Sequence, residues 1–310
     1  MYERISLEGK SNAEWRILRR TGIGGSDAGA VAGLNRYSSP MKVYLDKTGE
    51  TMEETDSEAV RCGKDLEQYV AERFCEETGK KVRRSNFMYR SVEHPFMIAD
   101  VDRFIVGEEA GLECKTCNAF NHKSWEKGAI PDHYIIQCYH YMAVTGKRTW
   151  YIACLIMGKE FVYRKLTWDD ALIESLISVE EGFWTGNVMA GVMPKPDGSD
   201  TCNEVLRQAF PRAEKGSGIE LTDMENELDR REEILRKIEE LQTEQNRIEQ
   251  EIKLAMGESE HAGCGRYSIS WANVSSERLD TKRLKEECPD IYKSFVKGST
   301  SRRFSIKEVA

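Results

Sequence analysis

Along residues 57–79, SEAVRCGKDLEQYVAERFCEETG, apolar side chains recur at Val60, Leu66, Tyr69, Val70 and Phe74. Their spacing lays them on one helical stripe, and Gly79 supplies a stop signal at its end. The period then changes. Residues 96–106 and 110–117 alternate apolar with polar positions around Gly107-Glu108-Glu109, which predicts two short strands joined as a hairpin. A helix is expected over 132–145, strands over 150–157 and 161–166, and another helix from near Asp169. Helix, hairpin, helix and strand in this order predict an α/β (α+β) domain, a mixed sheet flanked by helices.

A Pro/Gly/Asp stretch, MPKPDGSD, closes this first domain near residue 200. Beyond Gly218, the positions Leu221, Met224, Leu228, Ile234, Ile238, Leu241, Ile248, Ile252 and Ala255 keep three- and four-residue spacings, with one slip between Leu228 and Ile234. They predict a single coiled-coil-like helix over 219–258. The remainder, 264–310, reads as a small accessory module made of a strand, a short helix and a terminal strand.

Charge divides along the same boundaries. The chain carries a formal charge of −8, and residues 220–260 hold fourteen acidic against six basic residues. From Cys264 onward the balance reverses, with ten basic and six acidic residues. An acidic whole-chain charge therefore does not exclude a nucleic-acid substrate, because the distribution matters more than the sum. No apolar run approaches the length of a membrane helix, and the first residues, MYERISLEGK, have no secretory pattern, so a cytoplasmic protein without a membrane partner is expected. Nine cysteines, an odd number, favour reduced thiols over a disulfide framework. Cys114 and Cys117 form a lone CxxC and read as two buried small residues. His94, His122, His133, His140 and His261 share no zinc-ligand spacing.

The candidate chemistry lies in Asp100-Val101-Asp102 followed by Glu113-Cys114-Lys115. Strand alternation places Glu113 and Lys115 on one face, and a paired strand brings Asp102 alongside. Neighbouring carboxylates repel unless a cation separates them, and hard oxygen ligands select Mg²⁺ or Mn²⁺. A divalent ion there activates water against phosphorus, with Lys115 orienting that water or offsetting negative charge on the phosphorane. Glu67, on the preceding helix, adds a further carboxylate. Spacing alone is weak: Glu251-Ile252-Lys253 has the same pattern on the long acidic helix, where it reads as a solvated face. Context separates the two, since Glu113 and Lys115 follow an Asp-bearing strand and a Glu-bearing helix and precede the helix that carries Gln137. Lys80, Lys81, Arg83 and Arg84 form a basic run beside the Glu67 helix, suited to phosphate contact.

The segments WRILRRTGIGGSDAGAV from Trp15, RCGKDLEQYVAERF from Arg61, IADVDRFI with GLECKT, and YIIQCYHYMAVTGKRTWYIA resemble the YqaJ viral recombinase family over roughly residues 10–195. That family includes the lambda-type phage exonucleases and has the PD-(D/E)xK restriction-endonuclease-like fold. The resemblance implies that Asp102, Glu113, the main-chain carbonyl of Cys114 and Glu67 hold the metal, with Lys115 and Gln137 completing the catalytic set. It also implies that Arg19, Ser26 and Gln137 hold a terminal 5′ phosphate. Gly24 and Gly25 leave backbone N–H groups open ahead of a helix start, and Ser26 is placed to cap it. GIGGS is richer in glycine than the lambda-type segment, and Asp100 competes with Asp102 as a ligand.

The function implied is a Mg²⁺-dependent double-strand DNA exonuclease, 5′ to 3′, that leaves single strands for a partner annealing protein, in a chain able to form homo-oligomers. Two alternatives stand beside it: an endonuclease of the same fold, and a non-catalytic DNA-binding or assembly protein working through the acidic helix.

Overall fold

The chain opens with strand β1 (Tyr2–Ser6) and helix α1 (Asn12–Arg20). Ser11 sets the start of α1, because its hydroxyl accepts from the Glu14 N–H while the Glu14 carboxylate accepts from the Ser11 N–H. Helices α2 (Gly25–Val31) and α3 (Pro40–Thr48) follow. In this computed structural model, which describes residues 1–50, 57–298 and 301–307, the expected helix at 57–79 is α4 (Glu58–Thr78). Ser57 caps its start, and Gly79, at φ 68°, takes the left-handed conformation that ends it. The stripe is narrower than expected. Val70, Ala71 and Phe74 are buried with β6 and β7 side chains, whereas Val60 and Tyr69 lie largely exposed.

Next come β2 (Val82–Arg84), β3 (Phe87–Ser91), β4 (Ile98–Asp100), β5 (Arg103–Ile105) and β6 (Ala110–Cys117). The single strand expected over 96–106 is two. β4 pairs with β3 in a three-stranded sheet, β1-β3-β4, while β5 pairs with β6 in a five-stranded sheet. The chain passes from one sheet to the other at Val101-Asp102, because one continuous strand cannot serve both ladders. Helix α5 (Asp132–Thr145) then crosses over to β7 (Thr149–Ile156), which runs parallel to β6, and β8 (Glu160–Thr167) completes the order β2-β5-β6-β7-β8. The mixed sheet and its flanking helices bear out the α/β reading. α6 (Asp170–Phe183) starts at its Asp169 cap. α7 (Asp200–Ala209) packs Cys202 and Val205 with Met41 of α3, so this first compact unit runs from Met1 to Phe210.

Two packing details hold the sheet and helices in register. His140 on α5 is fully buried, with Nε2 2.8 Å from the Ile98 carbonyl on β4 and Nδ1 2.7 Å from the Glu180 carboxylate on α6. On β6, Gly111 lies flat beneath the fully buried Trp150 of β7: a Cβ there would sit 2.4 Å from the indole ring. Gly111→Ala is therefore expected to destabilise the protein by about 1–3 kcal/mol, the usual range for overpacking a core that cannot yield. Urea unfolding checks this, and an unchanged midpoint would show that the indole has room to move.

The second unit spans Pro211–Ala310. Its long helix, α8 (Glu225–Met256), begins after Leu221 and Met224, and leaves Leu228, Ile234, Ile238, Leu241 and Ile248 substantially exposed. Instead of one strand and one short helix, a hairpin of β9 (His261–Cys264) and β10 (Tyr267–Ser270) is followed by α9 (Thr281–Glu287) and α10 (Pro289–Phe295). Residues 301–307 adopt no regular structure where a terminal strand was expected, and the rest of that expectation, 308–310, lies outside the described residues. Among the described residues, no helix is long and apolar enough to cross a membrane.

Candidate active site

The seven side chains given a catalytic, metal-binding or terminal-phosphate role from the sequence line one cavity of about 770 Å³ in the first unit: Arg19, Ser26, Glu67, Asp102, Glu113, Lys115 and Gln137. The fold explains the convergence. β6 delivers Glu113 and Lys115 with the same facing, the crossing between sheets delivers Asp102, and α4 and α5 deliver Glu67 and Gln137. A β-bridge between Ile23 and Met97 holds Gly24 and the start of α2, with Gly25 and Ser26, beside the start of β4.

At the centre, the Cys114 N–H donates to Asp102 Oδ2 at 2.8 Å, which ties the carboxylate from the sheet crossing to the middle of β6. Glu113 Oε1 receives Lys115 Nζ at 2.6 Å and Gln137 Nε2 at 2.7 Å. Glu113 Oε2 is buried and has no hydrogen-bond partner. Burial raises the Asp102 carboxyl well above the ordinary carboxylate range, and repulsion from Glu113 and Glu67 adds to it. Burial likewise raises Glu113, against the opposing pull of Lys115. Lys115 is itself desolvated, yet Glu113 and Asp102 keep it firmly protonated. An orphaned carboxylate oxygen, two crowded acids and an all-oxygen donor set fit a hard divalent cation.

Glu67 stands differently. Its carboxylate is 2.5 Å from Arg103 Nη1, which also donates to the Asp102 carbonyl at 2.8 Å, and Arg103 Nη2 reaches Gln68. Among the described residues, no three His, Cys, Asp or Glu side chains already converge as a metal-ligand group. Arg103 was not singled out from the sequence; its only signal was a place directly after Asp102.

Asp100 also lines the cavity, but its Oδ2 accepts from the Trp15 indole N–H at 2.7 Å, and burial raises its carboxyl. Asp102, not Asp100, is the acid that meets Glu113 and Lys115. Cys114 and Cys117 are half-buried rather than buried, and desolvation pushes both thiols up, which makes them poor nucleophiles.

The expected phosphate group is present as a cluster, but its hydrogen bonding differs from expectation. Ser26 is not the helix cap. Gly24 holds that position, its N–H donates to Asp27 Oδ2 at 2.9 Å, and Ser26 instead accepts from Arg19 Nη2 at 2.8 Å. The same nitrogen donates to Asp27 Oδ1 at 2.9 Å. Gln137 Nε2 donates to both Glu113 and Tyr141 Oη, so its two amide hydrogens are taken and a phosphate contact needs one released. Gly25 is required by space, since a Cβ would lie 2.4 Å from the Tyr141 ring. Of the basic run, Arg84 lines the cavity, whereas Lys80 pairs with Glu108 and Arg83 lies over the Phe104 ring. Lys64, not anticipated, lines the cavity as well.

The family profile described as the YqaJ-like viral recombinase domain matches residues 14–148, which contain all of these side chains. A relative, the uncharacterized protein YqaJ of Bacillus subtilis (strain 168), is 42% identical over 304 residues, covering 97% of this chain and 95% of that protein. Among solved structures, an alkaline exonuclease from Laribacter hongkongensis, LHK-Exo, aligns with a TM-score of 0.50 at 20% identity, over 65% of this chain and 100% of that one. The structure of LHK-Exo in complex with dAMP gives the same values. At this identity the likeness shows the fold.

Proposed function

The chain belongs to the YqaJ-like viral recombinase family, and from that premise we propose that it is a divalent-metal-dependent DNA nuclease, an exonuclease that degrades duplex from phosphorylated 5′ ends. The observation that carries the reading is the buried, partnerless Glu113 Oε2 beside Asp102 in a cavity that also holds Arg19 and Ser26. Asp102, Glu113 and the main-chain carbonyl of Cys114, with Glu67 from α4, are the groups that would hold Mg²⁺ or Mn²⁺. Such an ion, when bound, supplies Lewis-acid polarisation of the phosphate and a water of lowered pKa.

The protein's own groups divide the remaining work. Lys115, protonated and drawn to Glu113, stabilises negative charge as it builds on the phosphorane oxygens. Gln137 fixes the rotamer of Glu113 from α5, and Arg103 holds the Glu67 carboxylate at the cavity wall. Arg84 and Lys64 draw the duplex backbone toward the opening. Arg19 and Ser26 receive the terminal phosphate, whose charge and number of acceptor oxygens exceed those of an internal diester. Strand removal in this direction leaves 3′ single strands as substrate for an annealing protein.

The test is digestion, with Mg²⁺, of linear duplex ending in 5′ phosphate or 5′ hydroxyl, beside a covalently closed circle. Phosphorylated ends are expected to be degraded about ten- to a hundredfold faster, the order of one charge-assisted contact. Arg19→Ala should shrink that ratio selectively, and the four rates give the coupling between end and side chain directly. Equal rates on both ends would remove the phosphate assignment, and efficient cutting of the circle would establish an endonuclease.

A further inference from the structure

Lys47 sits in the last turn of α3 with its side chain wholly buried, a costly place for an ammonium group that no part of the reaction described above uses. Its Nζ lies 2.6 Å from Asp27 Oδ2 and 3.0 Å from the main-chain carbonyl of Arg19. Asp27 Oδ1 accepts from the Arg19 guanidinium at 2.9 Å, so side chains and backbone close a ring: Arg19 to Asp27, Asp27 to Lys47, Lys47 back to Arg19. Asp46 approaches Lys47 at 3.5 Å, but it is 40% exposed and also meets Arg20 at 3.9 Å.

The ring holds two cations and one largely buried carboxylate. Were Lys47 absent, the Arg19–Asp27 pair would be neutral, and its dipole would attract a phosphate far less than a full charge does. With Lys47 present, Asp27 is already compensated from behind. The surplus positive charge then falls on Arg19, because Arg19 lines the cavity and Lys47 does not. We infer that Lys47 is a specificity-determining positioning residue: by neutralising Asp27 it leaves Arg19 a net positive charge for a terminal phosphate, while Asp27 keeps the guanidinium aimed. Burial alone would raise the Asp27 carboxyl, yet Arg19 and Lys47 together hold it well below the ordinary range, as a doubly compensated carboxylate requires.

This inference rests on the terminal-phosphate reading, and the experiment separates the two. Binding of a fluorescent duplex with 5′-phosphate or 5′-hydroxyl ends is measured by anisotropy in EDTA, so that no cleavage enters. The wild-type chain is expected to prefer the phosphorylated end. Lys47→Met should lower that preference about tenfold, the order of coupling between close buried charges. Asp27→Asn combined with Lys47→Met restores the charge count and should bring the preference back to within about threefold of wild type. A single variant with wild-type preference, or a double variant as indifferent as the single, overturns the role of Lys47 while leaving the phosphate pocket standing. A wild-type chain that does not discriminate overturns both. Should Lys47→Met fail to fold, Asp27→Asn alone tests the same charge logic: its preference must exceed that of wild type, and one no greater overturns the inference.

Discussion

Asp102→Asn and Glu113→Gln are each expected to slow DNA hydrolysis by about a thousandfold or more, at least roughly 4 kcal/mol of barrier, in protein that remains folded. Both carboxylates face the same cavity, both are desolvated, and the oxygen of Glu113 without a partner is the point where a cation has most to gain. The same geometry predicts an opposite effect on stability without metal. Because the folded-state value of Asp102 is raised, the stability linked to this group is present at low pH and is lost as pH rises through that value. At neutral pH this raised acid is therefore a burden that asparagine does not carry. Asp102→Asn should melt at a higher temperature than wild type in EDTA at pH 7.5. Added Mn²⁺ or Mg²⁺ should raise the melting temperature of wild type and leave that of Asp102→Asn nearly unchanged, since only a bound ligand shifts the equilibrium. Wild-type turnover by either purified variant would remove these residues from the reaction.

His140→Ala is expected to cost about 3–5 kcal/mol in urea unfolding, the largest stability effect of any single substitution considered. The substitution strands the buried Glu180, whose Oε2 already has no partner, and leaves the Ile98 carbonyl on β4 without a donor. Since a carbonyl only accepts, His140 Nε2 must carry a proton, and the contact with Glu180 holds a second proton within the pair. Burial opposes charging the imidazole, but Glu180 and the Ile98 carbonyl outweigh it and raise His140 above its ordinary value. A raised histidine contributes stability in full below about pH 6.5, and loses it as pH climbs through the folded-state value. Melting temperature should therefore fall between pH 6 and pH 9 more steeply in wild type than in a His140→Leu, Glu180→Met double variant. Parallel slopes would show that the pair exchanges no proton with solvent in this window.

The local elements were legible because their signals are local. α5 matches its expected span, α4 starts at the Ser57 cap and stops at Gly79, and the alternation along β6 places Glu113 and Lys115 together. The ordered motifs and the family resemblance they carry gathered Glu67, Asp102, Glu113, Lys115 and Gln137, and all of them line the cavity. Fold class and family were also readable, since both depend on the succession of periodic segments and on motifs within them.

What the chain could not disclose by itself were pairings between distant residues. Alternation says that 96–106 is extended, but only the competing ladders of β3 and β6 decide that it breaks at Val101-Asp102, and that break turns Asp102 toward Glu113. The stripe on α4 is a periodic fact, whereas how much of it is buried depends on what the fold packs against it. Arg103, Lys47 and Asp27 carry no periodicity that marks them. A lysine twenty residues from its carboxylate has no sequence signature, because a charge is worth burying only where the fold brings its counter-charge within hydrogen-bond reach. Sequence by itself determined which groups of chemistry the protein possesses and the elements that bear them. Tertiary structure alone decided which of those groups lost water together: desolvation raises Asp102, the neighbouring Glu113 and Asp102 hold Lys115 protonated against it, and one buried oxygen of Glu113 is left without a partner.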